Sequence, residues 1–286
     1  MSKTQNLINL CEQIIVSGEK NGHFETFIST DRVFKRKTLS PSDIATSALI
    51  LDTAFDGRNE LTDRVANYLL SHANQDLTFH FFENKSLLPA DKDTTSSVLN
   101  PLLKFGYVSL EDTKPVLNRI LQDKDGFEIY FNPEDYGKKN REDLIASCNI
   151  GIFLAKHDAL DEFSGELEKI KKNFKSGKSL KGQRYWFSPF SAVYFATKLN
   201  EEVKSDELNN ILINSASNLP KSDYFLDVVK KYTSFEILGL EADKEQLINH
   251  LEKGIKTDAI YKRGSRDEYF GSEALSAAFA SEALRR

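Results

Sequence analysis

Hydrophobic positions follow a helical period over most of the chain. In the first such segment, 5–16, the apolar positions are Leu7, Ile8, Leu10, Cys11, Ile14 and Ile15. That spacing places them on one side of a helix. The same reasoning predicts further helices over 42–55, 59–73, 91–105, 113–122, 140–158, 160–174, 206–216, 222–238 and 244–251, with one more inside 183–199 and one that closes the chain. Pro101 lies inside one of these spans, where we expect a kink or an early stop.

Long aromatic connections alternate with short ones, and helices rich in small residues, such as IATSALIL, alternate with helices that have charged faces, such as LEKIKKNF. The aromatic connections, at 22–30, 77–84 and 126–137, are predicted to be extended. A helix that packs on both faces must be the less polar kind, whereas an outer helix is amphipathic. Six helical hairpins can close into a ring, so we predict an all-α fold, a single (α/α)6 toroid with 1–286 as one domain. An open solenoid of helix pairs is the alternative.

The ring places the N-termini of all its inner helices on one rim. These helices are predicted to start near Ser42, Asp91, Asn140, Ser188, Ser222 and Ser272. Acidic residues expected on the rim are Asp43, Asp91, Asp93, Glu142, Asp143, Asp223 and Glu273. Aromatic residues expected there are Phe24, Phe27, Phe79, Phe81, Tyr130, Phe131, Tyr185, Trp186, Phe187, Tyr269 and Phe270. Such a wall suits an apolar ligand that passes through cationic states, because ring faces attract cations. The same aromatic residues also fit an ordinary core.

Asn149 is an amide in the middle of an otherwise apolar inner helix. We expect it either to face the cavity or to be satisfied by a neighbouring helix.

The stretch LLPADKDTTSSVLNPLL, from Leu87 to Leu103, combines a helix start with two neighbouring acids. Asp91 is predicted as the N-cap, with Asp93 in the first turn. An ordinary acidic cap explains both residues, because the helix dipole favours acids there. Two adjacent carboxyls in a dry site also raise the pKa of one of them, while the dipole and Lys92 act in the opposite direction. The sequence leaves open which effect dominates.

Composition excludes several classes of protein. The 286 residues are 40% hydrophobic and 28% charged, with a net charge of -5, which is typical of a globular protein and argues against nucleic acid as the main partner. Cys11 and Cys148 lie far apart and form no metal or disulfide pattern. No apolar run has the length of a membrane span or signal peptide, so we expect a cytoplasmic protein with, at most, a peripheral membrane contact.

Four segments carry a family resemblance: GHFETF, LPADKDTTSSVL, NREDLIASCNIGIFL and YFGSEALSAAFASEAL. They resemble the terpenoid cyclase and protein prenyltransferase superfamily of α/α toroids. DKDTT looks like the Asp-x-Asp-Asp or Asp-x-Asp-Thr-Thr signature of class II terpene cyclases. The resemblance implies that Asp93 is the general acid that protonates an alkene, with Asp91 and Thr94 as its catalytic neighbours.

The resemblance implies an isomerase or lyase of isoprenoid biosynthesis that cyclises a polyprenyl diphosphate or similar molecule. Substrate-binding residues are then expected to be Tyr130, Tyr185, Trp186, Tyr269, Phe270 and Asn149. No metal or cofactor is expected, except for Mg²⁺ that could accompany a diphosphate. The sequence departs from the family in having room for only one toroid, a single Trp and no zinc ligands of the prenyltransferase kind near Cys148.

Two alternatives remain on the same fold. One is a toroid without catalytic activity that binds an isoprenoid or a protein. The other is a glycoside hydrolase, in which two carboxylates such as Asp93 and Asp143 would flank a sugar bond. The sequence leaves the oligomeric state open.

Overall fold

The computed structural model describes residues 2–40, 42–122, 127–132, 134, 142–181, 185–262 and 268–286. The α-helices within these residues are α1 (Lys3–Gly18), α2 (Ile44–Ala54), α3 (Glu60–Ser71), α4 (Lys92–Lys104), α5 (Leu110–Leu121), α6 (Leu144–Lys156), α7 (Ser164–Lys175), α8 (Pro189–Val203), α9 (Asp206–Ser217), α10 (Phe225–Ile237), α11 (Lys244–Leu251) and α12 (Glu273–Arg285). Each predicted helix has its counterpart, with ends that differ by a few residues.

Six of these helices form a closed inner ring. Helices α2, α4, α6, α8, α10 and α12 follow one another around it, each in contact with the next, and α12 packs back on α2. The other six lie outside, with α1 on α12, α3 on α2, α5 on α4, α7 on α6, α9 on α8 and α11 on α10. The predicted (α/α)6 toroid is therefore confirmed. The open solenoid, which would leave α12 apart from α2, is wrong.

Burial separates the inner helices from the outer ones. Ten of the eleven residues of α2 are buried, against four of the twelve residues of α3. Small residues allow this close packing. A methyl group at Gly151 in α6 would lie 2.6 Å from the ring of Phe163 and 2.7 Å from a methyl carbon of Leu199. That 1–286 unfolds as one domain stays a prediction, for which a single unfolding transition is the measurement.

Short strands cover the rim where the inner helices begin. They are β1 (Glu19–Lys20), β2 (His23–Phe24), β3 (Phe27–Ser29), β4 (Thr38–Leu39), β5 (Ala259–Lys262) and β6 (Tyr269–Gly271). Strands β1 and β2 form a hairpin, and the other four form an antiparallel sheet in the order β4-β3-β6-β5. Ile28 lies opposite Phe270 in that sheet. The sheet thus joins the segment before α2 to the segment before α12, where the ring closes.

The predicted extended segments are only partly regular. The segment at 22–30 contains β2 and β3. The segment at 77–84 is irregular, with an isolated bridge between His80 and Ala90. The segment at 126–137 lies partly outside the described residues.

Helix α4 does not stop at Pro101. It continues to Lys104, so the expected early stop is wrong. Proline lacks the N–H group for one helical hydrogen bond and crowds the carbonyl four residues earlier, but its own carbonyl can still accept. Its carbonyl still accepts the N–H of Phe105 at 3.0 Å, and the N–H of Tyr107 donates to the carbonyl of Leu102 at 2.8 Å, which closes the end of the helix.

Three acids of the predicted rim, Glu142, Asp223 and Glu273, lie in solvent instead. Helix α10 begins at Phe225 rather than near Ser222, so Asp223 precedes the helix and is exposed. Asp227, one turn later, is buried in its place. Glu273 is the first residue of α12 and is also exposed.

The opposite end of the ring, where the inner helices finish, is closed by ion pairs. The hydroxyl of Tyr194 donates to Oε2 of Glu282 at 2.6 Å, and Nζ of Lys198 donates to Oε1 at 3.1 Å. Arg285 donates to the carbonyls of Ala54 and Thr53, both at 2.7 Å. Cations at this end match the negative end of the helix dipoles.

Candidate active site

Asp91 and Asp93 share the start of α4 but have different surroundings. Asp91 is the N-cap, and its Oδ1 accepts the backbone N–H of Thr94 at 2.6 Å. The Thr94 hydroxyl also donates to this carboxyl. The backbone of Asp91 is fixed as well, by a hydrogen bond to the carbonyl of Phe79 at 3.0 Å and a bridge with Tyr130. The capping task therefore falls to Asp91 and leaves Asp93 outside it.

Asp93 is held by side chains from three parts of the ring. Nδ2 of Asn149, on α6, donates to its Oδ1 at 2.7 Å. Ser97, one turn along α4, also donates to the carboxyl. Nε1 of Trp186, in the segment before α8, lies 3.4 Å from Oδ2, a long contact. Because α4 and α8 are not neighbours in the ring, Trp186 reaches Asp93 across the interior, and Asp93 therefore faces the inside of the ring.

The face of α4 that carries Asp93 remains accessible. Asp93 and Ser97, which lie one turn apart, are half-buried, while the residues between them are buried. Asn149 and Trp186 are buried beside them. Asp93 thus combines a largely dry environment with partial access, which is the environment that a general acid for an apolar substrate requires.

Burial raises the pKa of four carboxyls at this rim, those of Asp43, Asp91, Asp93 and Asp143. Burial and the charge of Asp93 raise the pKa of Asp91 to about 8. The same two causes raise the pKa of Asp143 to about 6. Burial also raises the pKa of Asp93, although the hydrogen bonds that it accepts act in the opposite direction. Each acid is therefore easier to keep protonated near neutral pH than an ordinary aspartic acid.

Lys92 does not offset these acids. Its ammonium group lies 5.7 Å from the ring centroid of Phe131. Burial lowers its pKa to about 8, with Glu128 raising it and Arg119 lowering it further. Neighbouring residues on a helix do not share a face, so Lys92 and Asp93 point in different directions. Of the two effects that the sequence left open, desolvation dominates.

Asp143 caps the next inner helix. Its Oδ1 accepts the backbone N–H groups of Ile145 at 3.0 Å and Ala146 at 3.4 Å. The backbone N–H of Tyr185 also donates to this carboxyl. Asp143 therefore holds the segment that carries Trp186.

The residues predicted to bind substrate divide into two groups. Asn149 and Trp186 contact Asp93 directly. Tyr130 and Tyr185 are half-buried on the same rim, where Tyr130 pairs with the backbone of Asp91 and the carbonyl of Tyr185 accepts the N–H of Lys262 at 2.7 Å.

Phe270 and Tyr269 lie on opposite faces of β6, because side chains alternate along a strand. The ring of Phe270 stacks on Tyr261 with 5.1 Å between centroids. The ring of Tyr269 instead packs on Phe187 at 5.3 Å and lies under the ammonium group of Lys262. The described contacts thus bring Phe270, but not Tyr269, into the aromatic group beside Trp186.

Three residues of the site, Ser97, Phe195 and Tyr261, were missed in the sequence. Phe195 and Tyr261 belong to the site because the ring of Trp186 packs on them, at 4.7 Å and 5.8 Å between centroids. Ser97 could have been found, because it lies one helical turn after Asp93. Tyr261 has no local signal, because it lies in a strand far along the chain from the acids.

The described residues contain neither a metal site nor a membrane-spanning helix. None of their groups of three or more His, Cys, Asp or Glu side chains has an arrangement that could hold a metal ion. No helix described here is both long and apolar enough to cross a membrane. The association of Mg²⁺ with a diphosphate stays a prediction.

The fold resembles that of known enzymes. No family model matches the sequence, and a search of curated proteins gives no match. Among solved structures, the type II terpene cyclase MstE from Scytonema, without ligand, superposes with a TM-score of 0.68 at 11% sequence identity, covering 99% of this chain and 97% of that one. A point variant of that enzyme in complex with geranylgeranyl dihydroxybenzoate, the substrate, gives a TM-score of 0.66 at 10% identity, with 99% of this chain and 97% of that chain covered.

A protein from Actinoplanes is similar to the same extent, with a TM-score of 0.66 at 9% identity and coverage of 99% of this chain and 98% of that chain. At such low identity these likenesses show the fold alone: an α/α toroid of the kind found in a type II terpene cyclase.

Proposed function

We propose that this chain is a class II terpene cyclase-like enzyme that cyclises an isoprenoid after protonating one of its double bonds. Asp93 is the general acid. The observation that carries this proposal is the environment of Asp93, which is half-buried, faces the inside of the ring and has a raised pKa. An alkene is a very weak base, so its proton donor must be a neutral carboxylic acid in a dry site.

The hydrogen bonds of Asp93 indicate which oxygen delivers the proton. Oδ1 accepts the short bond from Asn149. Oδ2 has a long contact with the N–H of Trp186, and we assign the acidic hydrogen to this oxygen. In the first step the π electrons of the substrate take this proton to form a C–H bond, and Asp93 becomes a carboxylate. The positive charge is left on the more substituted carbon.

Aromatic side chains beside Asp93 suit the following steps. Neighbouring double bonds attack the cation in turn, so that each new C–C bond moves the charge along the chain, and the final cation loses a proton to a base or is captured by water. The ring of Trp186, next to Asp93, packs on the rings of Phe195 and Tyr261. Aromatic faces stabilise such cations without reacting as strong bases.

Asp91 and Asn149 support the acid. Asp91 fixes the start of α4, and its own burial keeps negative charge low around Asp93. Asn149, first expected to contact substrate, is assigned here to orient Asp93. The substrate class follows the structural neighbour, whose complex contains a geranylgeranyl chain joined to dihydroxybenzoate.

Turnover in heavy water tests the proposal. The purified protein would be incubated in D₂O with geranylgeranyl dihydroxybenzoate, geranylgeranyl diphosphate and other isoprenoids. Protonation by an exchanged Asp93 carboxyl should give a cyclic product with one deuterium on carbon. Uncyclised substrate with every isoprenoid, despite measurable binding, would favour a binding toroid without catalytic activity. Hydrolysis of a glycoside would favour the sugar hydrolase, in which Asp143 would need to leave the cap of α6.

A further inference from the structure

A buried tyrosine crosses the interior of the ring next to the candidate active site. The ring of Tyr261 packs on that of Trp186, with 5.8 Å between centroids. Its hydroxyl lies beside the hydroxyls of Thr46 and Thr26. Trp186 precedes α8, whereas Thr46 belongs to α2, which is opposite α8 in the ring of six inner helices. Tyr261 thus extends from the aromatic group beside Asp93 to the opposite wall.

The oxygen of the Tyr261 hydroxyl is buried, and among the described residues it has no hydrogen bond of ordinary geometry. Its contacts with the two threonine hydroxyls are therefore loose. A buried polar atom without a full partner is rare in folded proteins and calls for an explanation. This oxygen can accept a hydrogen bond or a proton from a molecule inside the ring.

A row of hydrogen-bonding groups leads from Tyr261 to a carboxylate. The hydroxyl oxygens of Thr46 and Thr26 are 2.6 Å apart. The hydroxyl of Thr26 donates in turn to the carboxyl of Asp43. The backbone N–H of Thr26 donates to Oδ1 of the same carboxyl at 2.6 Å. All three of these residues are buried, so the row from Thr46 to Asp43 is shielded from water.

The carboxylate of Asp43 determines the direction of these hydrogen bonds. A threonine hydroxyl has a single hydrogen, and Thr26 gives its own to Asp43. Thr26 must therefore accept the hydrogen of Thr46, which leaves Thr46 able to accept the hydrogen of Tyr261. The phenol oxygen then presents a lone pair, and not its hydrogen, to the interior of the ring.

Asp43 has an outlet to solvent. Its Oδ2 lies 3.6 Å from Nε2 of His23, which is half-buried and stacks on the ring of Tyr68. Burial raises the pKa of Asp43, although the hydrogen bonds from Thr26 and the charge of His23 act in the opposite direction. A buried carboxylate of this kind holds a proton more readily than an exposed one. Asp43 can therefore take up a proton from the row and pass it on through His23.

We propose that Tyr261 is the base that ends the proposed cyclisation. This inference rests on the proposed function. A C–H bond next to the last cationic carbon breaks, and its electron pair forms the double bond of the product. The proton joins the oxygen of Tyr261 while the phenol hydrogen moves to Thr46. The hydrogen of Thr46 moves to Thr26, and that of Thr26 moves to Asp43. Of the protein groups, only Asp43 changes charge, from a carboxylate to a neutral acid.

The separation of the carboxylate from the substrate has a chemical reason. A carboxylate in contact with a carbocation could form an ester with it, which would stop the reaction. The two threonine hydroxyls keep Asp43 away from the cation and transmit only the proton. The ring of Tyr261 can meanwhile stabilise the cation through its face.

Product analysis of Tyr261→Phe tests the assignment of the base. Phenylalanine keeps the ring that packs on Trp186 and removes only the oxygen. Loss of a general base slows its step by about 10²–10⁴-fold, so the share of the original alkene should fall at least about tenfold. Isomeric alkenes or an alcohol formed with water should replace it. Consumption of the isoprenoid begins with protonation by Asp93 and should fall less.

Two further variants interrupt the row without removing the base. Thr46→Val removes one hydroxyl and keeps a side chain of similar shape. Asp43→Asn removes the final proton acceptor but keeps an oxygen for the backbone N–H of Thr26. Both variants should change the product in the same way as Tyr261→Phe.

The matched control is Thr53→Val. Thr53 is also a buried threonine of α2, but its hydroxyl donates to the carbonyl of Leu49 at 2.7 Å and takes no part in the row. Its product should be that of the unchanged protein. An equal change of product in Thr53→Val would overturn the proposal.

Gas chromatography with mass spectrometry identifies the products, and thermal unfolding confirms that each variant is folded. An unchanged product from Tyr261→Phe would overturn the assignment of the base and leave the proposed cyclase intact. A change in Tyr261→Phe alone, with the original product from both Thr46→Val and Asp43→Asn, would overturn the path to Asp43. If the unchanged protein cyclises no isoprenoid, the proposed function fails, and this inference fails with it.

Discussion

The acids that cap inner helices at the rim and the buried acid at the other end of the ring are stabilised in different ways. At the rim where the inner helices begin, Asp91 and Asp143 are buried and accept hydrogen bonds from backbone N–H groups. At the other end, Glu282 is also buried, but it lies 3.1 Å from Lys198 and 3.6 Å from Arg286. Of these three acids, only Glu282 is paired with cations, although the rim also contains an ion-paired acid, Asp227, which Arg32 contacts at 2.8 Å.

The pKa values follow this difference. Burial alone would lower the pKa of Lys198, but the charges of Glu282, Asp52 and Glu201 raise it. At the rim, burial raises the pKa of Asp91 to about 8 because no cation compensates it. The comparison teaches that a helix dipole stabilises a buried carboxylate less than a cation does. A buried acid at a helix start can therefore be protonated near neutral pH, whereas an acid in an ion pair stays charged.

The largest expected effect comes from removing the acidic proton of the rim. Asp93→Asn keeps the size of the side chain but cannot deliver a carboxylic proton, so turnover should fall by about 10²–10⁴-fold or more. Binding of the isoprenoid and thermal unfolding should change little. The measurement is single-turnover product formation, with Asp91→Asn as the milder comparison. Retained turnover in Asp93→Asn would reduce the DKDTT stretch to an ordinary helix start.

The stability of the rim should depend on pH with a predictable sign. The folded-state pKa of Asp91 is raised to about 8, from about 4 in an unfolded chain. Between these values the folded protein binds a proton that the unfolded chain has lost, so Asp91 contributes stability at low pH that disappears as pH rises towards 8. Asparagine caps helices equally well and does not ionise.

The unfolding free energy of Asp91→Asn should therefore match that of the original protein near pH 4 and become larger by up to about 1.4 kcal/mol for each pH unit between about 4 and about 8, with no further change above. Urea unfolding of both proteins from about pH 5 to about pH 9 provides the measurement. Parallel stability curves over this range would show that Asp91 is not protonated in the fold.

Substitution of Glu282, which is ion-paired at the end of the ring opposite the rim, should change stability but not turnover. Glu282→Gln leaves Lys198 and Arg286 without their buried carboxylate, which should cost about 3 kcal/mol of unfolding free energy. Glu201→Gln is the matched control, because Glu201 is more exposed and its loss should cost less than about 1 kcal/mol. Turnover per folded molecule should be the same in both variants. A specific loss of turnover in Glu282→Gln would mean that this end takes part in the reaction.

The fold and one part of the site could be predicted because their causes are local. An inner helix of a ring is packed on all sides, which requires the small and apolar residues that α2 and α6 show. The spacing of Asp91, Asp93 and Thr94 similarly fixes the cap and the first turn of α4. Whether Asp93 performs the proposed chemistry stays a prediction.

The rest of the site depends on contacts across the ring. Trp186 meets Asp93 although 93 positions separate them, and no local pattern indicates this pair. Helix α10 begins at Phe225, three residues later than expected, which exchanges exposed Asp223 for buried Asp227. Which residue of an extended segment faces inward depends on its register, and a shift of one residue changes the answer.

The smallest effect is expected for the amide that orients the acid. Asn149→Ala removes the 2.7 Å hydrogen bond to Oδ1 of Asp93, and kcat should fall about tenfold, the cost of one hydrogen bond to a charged group. That bond lowers the pKa of Asp93, so without it the pKa should rise. Turnover requires the protonated acid, and the decline of kcat at high pH should therefore move to higher pH.

The direction in which the pH profile of kcat moves shows whether Asn149 orients Asp93 or has only a structural role. Trp186→Phe removes only the long 3.4 Å contact with Oδ2 and should move the pH profile less than Asn149→Ala does. The measurement is kcat against pH for both variants, with unfolding curves to confirm that each is folded. A tenfold loss in Asn149→Ala without any movement of the profile would mean that Asn149 supports the packing of α6 on α4 and does not tune the acid. A shift to lower pH would contradict the hydrogen bond that Asn149 donates to the carboxylate of Asp93.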